Sequence, residues 1–468
     1  VAYHADMNFT MIRNWVGQIG DKEFYEACDR HGIMVWQDFW LANPVDGPNP
    51  YYTEMFNANA CDYLKRIRNH PSIGIYVGRN EGNPPAGIDD YLRGLVFREH
   101  PGLYYISNSA MGVVSGGGPY RALSPKSYFQ SYGHDKFHSE RGMPNVMNYE
   151  SMLLTFGTDK IEPVNTSETP NPVYGLHDYT LGGGKGSSAQ AASSFNDMIE
   201  KAFGRPRDAK QFAEWAQWIN YDGYRAIFEG RSEHRRGMLL WMSHSAWPSM
   251  VWQTYDYYFD PNAAYFGCKK ASEPLHIQWN PLRDDIEVVN YHAFDRTGLT
   301  ATASLFNQDG TLQWTRETKL DIKEDQTVAC FPLEQPETLS DTYFIKLSLT
   351  DSDGKQLSDN FYWRGKEDGN YKSLLQLPKV SVCKNVTVKK TGKEWLIRAV
   401  LKNEARTPAL MLRLKVAGEK SGRMLLPVFY SDNYFSLLPG EVKEVDIRLY
   451  DADTYGEKPV LEVLGFNL

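Results

Sequence analysis

The stretch Ile73-Gly-Ile-Tyr-Val-Gly-Arg-Asn-Glu-Gly82 begins as an apolar run and ends in polar residues and glycine. A short apolar run rich in β-branched and aromatic side chains and bounded by glycine reads as a buried strand. Its polar tail, Arg79, Asn80 and Glu81, stands where such a strand opens onto a loop. The surrounding sequence repeats this unit. Upstream, Met7 to Trp15 reads as a strand, Asp21 as the cap of a helix with Phe24, Tyr25, Ala27 and Cys28 on its apolar face, and Gly32 as its stop. Ile33 to Asp38 is the next strand, and Tyr51 to Asn69 a helix. Downstream, Leu103 to Ile106, the stretch around Phe137, and Met238 to Met242 are strands. A long aromatic helix, Phe212 to Phe228, precedes the last of them. Strand–helix repeats with polar strand ends predict an α/β fold, best met by a (β/α)8 barrel over residues 1–279. About seven strands are countable where the barrel needs about eight. The first is expected to be missing ahead of Val1.

Beyond residue 280 helical periodicity disappears. Leu299 to Leu305 and Thr342 to Leu349 alternate apolar with polar, and turns stand at Asn307-Gln-Asp-Gly310 and Asp351-Ser-Asp-Gly354. Two immunoglobulin-like β-sandwiches are predicted, over 280–366 and 367–468, joined at Gly365-Lys-Glu-Asp-Gly369. Gly182-Gly-Gly-Lys-Gly-Ser-Ser188 lacks phosphate-loop spacing and reads as a flexible loop.

Composition narrows the function. The 468 residues carry 50 basic and 58 acidic side chains, a net charge of −8, which argues against a nucleic-acid partner. No apolar run is long enough to cross a bilayer. The aromatic share of 13% suits a sugar-binding cleft as well as ordinary cores. Cys28, Cys61, Cys268, Cys330 and Cys383 form no CxxC pair, and no His/Asp/Glu set has zinc spacing, so neither a metal nor another cofactor is expected. The start at Val1 shows no basic segment followed by an apolar one, so the chain reads as part of a longer protein. Its terminus gives no address; a periplasmic or secreted location is compatible with it.

A barrel works at the C-terminal ends of its strands. Polar residues stand at predicted strand ends: Arg13, Asn14 and Trp15; Gln37, Asp38 and Trp40; Asn80 and Glu81; Asn108; His138, Ser139 and Glu140; Trp241, Ser243 and His244. Glu81 and Glu140 form the pair of carboxylates that glycoside hydrolysis requires, one to protonate the leaving oxygen and one to attack or activate water. Two surface carboxylates in ion pairs would look the same by position alone. Glu150 reads as a helix-surface group, and His138 and His244 as structural histidines or site residues. The sequons at Asn8, Asn165 and Asn385 carry little weight, Asn8 because it falls on a predicted strand.

The local sequences weigh further. Asn69-His-Pro-Ser72 followed by Gly78-Arg-Asn-Glu81 resembles the acid/base segment of glycoside hydrolase family 2. Phe137-His-Ser-Glu-Arg-Gly142 resembles its nucleophile strand, and Arg13 and Trp241 match in order. Val35-Trp-Gln-Asp-Phe-Trp40, Val45-Asp-Gly47, Asn80 to Pro85 and Ile219 to Gly230 are similar to the β-mannosidase branch, especially its mannosylglycoprotein endo-β-mannosidases. Tyr430 to Gly440 resembles those enzymes and the exo-β-D-glucosaminidases. The latter more often carry Asp in the acid/base segment, and Glu81 favours the mannosidase side. The family also carries a jelly-roll domain and an immunoglobulin-like domain before the barrel, neither of which is in this chain, and in β-mannosidases the jelly roll can contribute to the substrate pocket.

The resemblance implies a retaining β-glycosidase acting on β-linked oligosaccharides or glycan-derived β-mannosides. Glu140 would be the nucleophile and Glu81 the acid/base, initially protonated. Arg13, or Tyr128 or Tyr132 from strand six, would assist Glu140. Asn80 would bond the sugar 2-hydroxyl or the nucleophile, and Asp38 substrate or Arg13. Trp15, Trp40 and Trp241 would complete the sugar site. An exo-β-D-glucosaminidase or β-galactosidase is the alternative within the family. A non-catalytic carbohydrate-binding protein is the alternative outside it, although such a protein has no need of two carboxylates.

Overall fold

A computed structural model of the chain describes residues 1–131, 136–166, 169–180, 192–233 and 236–468. The Gly182–Ser188 loop and Tyr132 lie outside the described residues. The chain divides into two compact units. The first comprises Val1–Pro119, Tyr132–Arg141 and Glu233–Trp241; the second comprises Tyr120–Ser131, Gly142–Ser232 and Met242–Leu468.

In the first unit, helices α1 (Ala2–Asp6), α2 (Lys22–His31), α3 (Thr53–Ile67) and α4 (Ala86–Glu99) alternate with strands β1 (Met11–Asn14), β2 (Met34–Asp38), β3 (Ile73–Arg79) and β4 (Tyr104–Asn108). β1 to β4 pair in order, all parallel. Strands β5 (Val114–Ser115), β6 (Phe137–Arg141) and β7 (Met238–Leu240) form a second parallel sheet. Strand alternation sends side chains to two cores. Val35 and Tyr76 pack outward with Tyr25, Leu64 and Leu92 of the helices. Met11, Trp36, Ile75, Val77, Ile106, Val114, Phe137 and Leu239 form a second cluster to which every strand from β1 to β7 contributes. Burying each large aliphatic side chain in these layers contributes about 1.5–3 kcal/mol.

The first strand is shorter than the sequence suggests. Residues 2–6 are helical, Asn8 sits in the following turn with φ +61°, and Trp15 begins a 3-10 turn, so Asn8 is not on a strand. Asp21 holds the N-cap position of α2 without bonding a backbone amide through its side chain, whereas Gly32 ends the helix in the left-handed conformation, as its sequence position suggests.

The second unit holds helices α5 (Pro125–Gln130), α6 (Tyr149–Phe156), α7 (Pro172–Leu176), α8 (Ser193–Phe203), α9 (Ala209–Glu229) and α10 (Ala263–Ala271). Asp208 caps α9 through a bond from the Gln211 amide at 2.8 Å, which sets its start ahead of Phe212. From Leu275 onward the chain is built of β-strands, with two short 3-10 turns at Lys372–Gln376 and Asp451–Thr454. Strands between Leu275 and Gly365 make two antiparallel sheets around a core that includes Ile277, Val288, Leu305, Ile345 and Tyr362. Strands between Val382 and Leu464 make two more.

Buried polar groups on α9 dock the first of these β-modules. Glu229 accepts from Tyr362 Oη and Asn360 Nδ2, both at 2.8 Å, and lies 3.0 Å from His276 Nε2. Asp222 accepts from Arg225 at 2.8 Å and Arg364 at 3.0 Å. On α6, Glu150 pairs with Arg413 at 2.8 Å and Lys415 at 3.1 Å, and these bonds hold its carboxyl at about 2 although burial pushes it up. Tyr434 Oη donates to Asn148 Oδ1 at 2.6 Å. Glu150 is therefore a half-buried docking carboxylate, not a solvated surface group.

Candidate active site

In the first unit, β1 and β2 each send two side chains inward two residues apart. Met11 and Trp36 enter the inner cluster, and one step further along stand Arg13 and Asp38. Arg13 is the hub. Its Nε donates to Asp38 Oδ2 at 3.1 Å and its Nη2 to the same oxygen at 2.8 Å. Nη2 also donates to Asn80 Oδ1 at 2.8 Å, and Nη1 donates to Glu140 Oε1. Arg13, Asp38 and Glu140 retain 5%, 0% and 3% side-chain exposure, so the two charge pairs are desolvated. Burial works against the guanidinium charge, but Asp38 and Glu140 outweigh it and hold Arg13 charged above its ordinary value. Asp38 takes further bonds from Trp36 Nε1 at 2.7 Å and the Val16 amide at 3.0 Å. The Arg13 guanidinium also lies 5.7 Å from the Trp36 ring centre.

Glu140 reaches this hub although Phe137, three residues earlier, faces the inner cluster. Strict alternation would put the two on opposite faces. The pairing of β6 with β7 is irregular between His138 and Arg141, which re-aims the side chains there.

Glu81 stands just past the end of β3 at φ +45°, a conformation that non-glycine residues adopt only when held. Its amide donates to Ser109 Oγ at 2.9 Å, and Ser109 Oγ donates to Asn80 Oδ1 at 3.3 Å. Its Oε2 accepts from Asn43 Nδ2 at 3.2 Å. Asn80 and Glu81 thus face different partners: Asn80 joins the Arg13 hub, and Glu81 joins the loop after β2.

Trp15 and Trp241 pack edge to face with ring centres 4.9 Å apart, and the Trp241 amide bonds the Arg141 carbonyl at 2.9 Å. Trp40 is 37% exposed and leans on Tyr63 and Phe56 of α3. Tyr128 belongs to the second unit and lies on α5, not on a strand. It is buried, its hydroxyl donating to the Arg121 carbonyl and accepting from the Leu123 amide. His138 has both ring nitrogens engaged, with Ser115 Oγ at 2.8 Å and the Gly118 carbonyl at 2.7 Å, as a structural histidine would. His244 stacks against both Tyr255 and Phe259 in the second unit, and burial lowers its basicity.

Two residues at the site, Asn43 and Ser109, escape a sequence reading, and a third, Arg79, is visible there only as part of the polar tail of β3, without a role. Arg79 is buried, and its guanidinium donates to the Ala42 carbonyl at 2.7 Å and to Asn49 Oδ1 at 2.6 Å, strapping down the loop that carries Asn43. Arg79 could have been noticed as a charge inside an apolar strand. Among the described residues no group of three His, Cys, Asp or Glu side chains could hold a metal.

Comparison with known proteins bears on this arrangement. The exo-β-D-glucosaminidase immunoglobulin-fold domain matches residues 360–468. The chain is 26% identical to the mannosylglycoprotein endo-β-mannosidase of Lilium longiflorum, over 100% of this chain and 60% of that protein. It is 28% identical to the exo-β-D-glucosaminidase of Amycolatopsis orientalis, over 96% of this chain and 48% of that protein. The chain is thus similar along nearly its whole length to proteins named as an endo-β-mannosidase and as exo-β-D-glucosaminidases, the branch its sequence resembles. Solved structures agree on the fold of this branch. The Amycolatopsis orientalis exo-chitosanase CsxA superimposes with a TM-score of 0.87 at 24% identity, over all of this chain and 60% of that one. The β-D-mannosidase of Dictyoglomus thermophilum does so with a TM-score of 0.75 at 20% identity, over 100% and 57%. The chain thus spans about half to three fifths of the length of the relatives it matches.

Proposed function

We propose that this chain carries the catalytic carboxylates of a retaining β-glycosidase of the β-mannosidase type, acting on β-linked oligosaccharides or glycan-derived β-mannosides. The observation that carries the reading is the Arg13 hub: one buried guanidinium joins Asp38, Asn80 and Glu140 from three strand ends, immediately beside Glu81. A buried carboxylate paired with a guanidinium suits a nucleophile. A second carboxyl on a separate loop network suits an acid that must gain and lose a proton.

In this reading the parallel strands β1 to β7 are those of a (β/α)8 barrel counted from its second strand, and two immunoglobulin-like sandwiches follow it. The inner cluster fed by every strand supports this, because a barrel interior is filled by layers of inward side chains. Glu140 attacks the anomeric carbon. The bond to the leaving oxygen breaks, and Glu81 protonates that oxygen. Water then attacks the glycosyl-enzyme while Glu81 takes its proton, releasing the sugar with retained configuration. Arg13 and Asn80 orient Glu140, Asp38 fixes Arg13, and Trp15, Trp40 and Trp241 offer faces and edges to the sugar.

A second reading, hydrolysis of terminal β-D-glucosamine, is favoured by the match of residues 360–468 to the glucosaminidase domain and by the likeness to an exo-chitosanase crystallised with PNP-β-D-glucosamine. The test is a panel of aryl β-glycosides, mannoside, glucosaminide, galactoside and glucuronide, given to the full-length protein. Turnover of the mannoside above the glucosaminide supports the first reading, the reverse order supports the second, and no turnover of any overturns both.

A further inference from the structure

We propose that Asn43 is a positioning residue that assigns the two oxygens of Glu81 separate tasks: Oε2 is anchored and Oε1 carries the proton. This rests on the glycosidase reading and names a residue outside the carboxylate pair.

The geometry closes a circuit. The Asn43 side chain is oriented by its own turn, because Oδ1 accepts from the Val45 amide at 2.7 Å. That bond fixes which end of the amide is which, so Nδ2 is the group that faces Glu81 Oε2, at 3.2 Å. The Asn43 carbonyl accepts from the Asp46 amide at 2.9 Å and the Gly47 amide at 3.1 Å, which tightens the turn. Arg79 bonds the Ala42 carbonyl and Asn49 Oδ1 on either side of it. The Asn80 amide bonds the Leu41 carbonyl at 3.0 Å, tying the loop to the end of β3 from the other direction. Gly82 completes the fit, because a side-chain carbon there would come within 3.0 Å of Pro44. The residue two places before Glu81 therefore holds the loop that holds Glu81. Oε1 points away from this loop, toward Gly117, where an added Cβ would lie 3.5 Å from it.

The chemistry follows from the donor. Asn43 Nδ2 is a donor only, so a protonated Glu81 accepts this bond on Oε2 and carries its hydrogen on Oε1. When the glycosidic bond breaks, its electron pair goes to the leaving oxygen, which takes the proton from Oε1. The negative charge left on Glu81 is shared with Oε2, where Asn43 donates, so the bond strengthens as the charge develops. In the second step Oε1 takes a proton from water, the charge on Oε2 falls, and the same bond gives no help. Asn43 should therefore assist departure of the leaving group and not hydrolysis of the glycosyl-enzyme.

The test uses the full-length protein with Asn43→Asp and Asn43→Ala. Asn43→Asp keeps the acceptor for the Val45 amide while removing the donor, so the turn survives. Two aryl glycosides of the sugar that the wild type hydrolyses are compared, phenyl and 2,4-dinitrophenyl. With phenyl as the leaving group, kcat/KM should fall about 10- to 100-fold in both variants, as expected for loss of one preorganised donor. With 2,4-dinitrophenyl, which leaves without a proton, kcat should stay within about threefold of wild type. An equal loss on both substrates would mean that Asn43 only maintains the fold. No loss on either would mean that it does nothing for Glu81. Both results overturn the proposal. A wild type that hydrolyses no aryl glycoside would instead overturn the glycosidase reading.

Discussion

Replacing Arg13 by Met should expose how much the hub depends on one side chain. The guanidinium, Asp38 and Glu140 are 5%, 0% and 3% exposed, so the substitution removes the Arg13 charge from beside two desolvated carboxylates. Removing one partner of a buried pair costs about 3–5 kcal/mol, because the abandoned charge keeps its desolvation penalty. Asp38 retains bonds from Trp36 Nε1 and the Val16 amide, which moderates its share. With an m value of about 1–3 kcal/mol/M, the urea midpoint should fall by roughly 1–5 M. The sign with pH distinguishes this mechanism from lost packing. In the wild type the raised Arg13 value contributes stability fully present below its ordinary, strongly basic range and lost only above it, so this contribution is flat from pH 5 to 8. In Arg13→Met the abandoned carboxylates can be relieved by taking up protons, so the deficit should shrink as pH falls. Urea unfolding followed by tryptophan fluorescence at pH 7.5 and pH 5 measures both quantities, and Asp38→Asn added to Arg13→Met should recover part of the loss. A deficit below about 1 kcal/mol, or one equal at the two pH values, would refute the claim that Arg13 neutralises buried charge.

Further outcomes follow from other parts of the molecule. Glu140→Ala should abolish turnover of aryl glycosides, and azide should restore it with inverted product, whereas Glu81→Ala should be rescued by azide with retained product; NMR of the glycosyl azides reads the configuration. Glu150→Gln should destabilise the protein at neutral pH. Because the folded value of about 2 lies below the ordinary 4.5, that stability is present above 4.5 and lost as pH falls toward 2, so the two proteins should converge in acid thermal melts. Gly267→Ala should cost about 1–3 kcal/mol by overpacking, since the added carbon would lie 2.5 Å from the Tyr221 carbonyl where α10 meets α9, and differential scanning calorimetry measures it.

The catalytic candidates were legible because they end strands, and strand ends are visible as polar residues after apolar runs. Arg13, Asp38, Asn80 and Glu140 all meet in the structure on that ground alone. What the sequence could not show was set by contacts between distant segments. Period-two alternation starting from Phe137 would turn Glu140 away from the inner cluster, and only the irregular pairing with β7 lets it reach Arg13. Asn43 sits in a polar loop like many others, and its meaning comes from Arg79, a charge buried at the end of a neighbouring strand.

Two stretches that resemble the family, Ile219 to Gly230 and Tyr430 to Gly440, have a role that chemistry at a sugar ring would not suggest. Asp222, Arg225 and Glu229 bond the β-module around Asn360 and Arg364, and Tyr434 bonds Asn148 on the turn before α6. Each places a buried polar group against a partner far away in sequence, and leaving any one unpaired would cost about 1–3 kcal/mol or more. Replacing such a residue is costly for reasons of packing alone, so a sequence signature alone cannot separate docking from chemistry. The partner decides: Asp222 and Glu229 are closed inside ion pairs and hydrogen bonds of one packed unit, whereas Glu81, among the described residues, is held on Oε2 by the neutral donor of Asn43, with Oε1 turned from the loop that supplies it. A carboxyl held in that way keeps its orientation while one oxygen stays available to exchange a proton, which is what an acid/base residue needs and a docking residue does not.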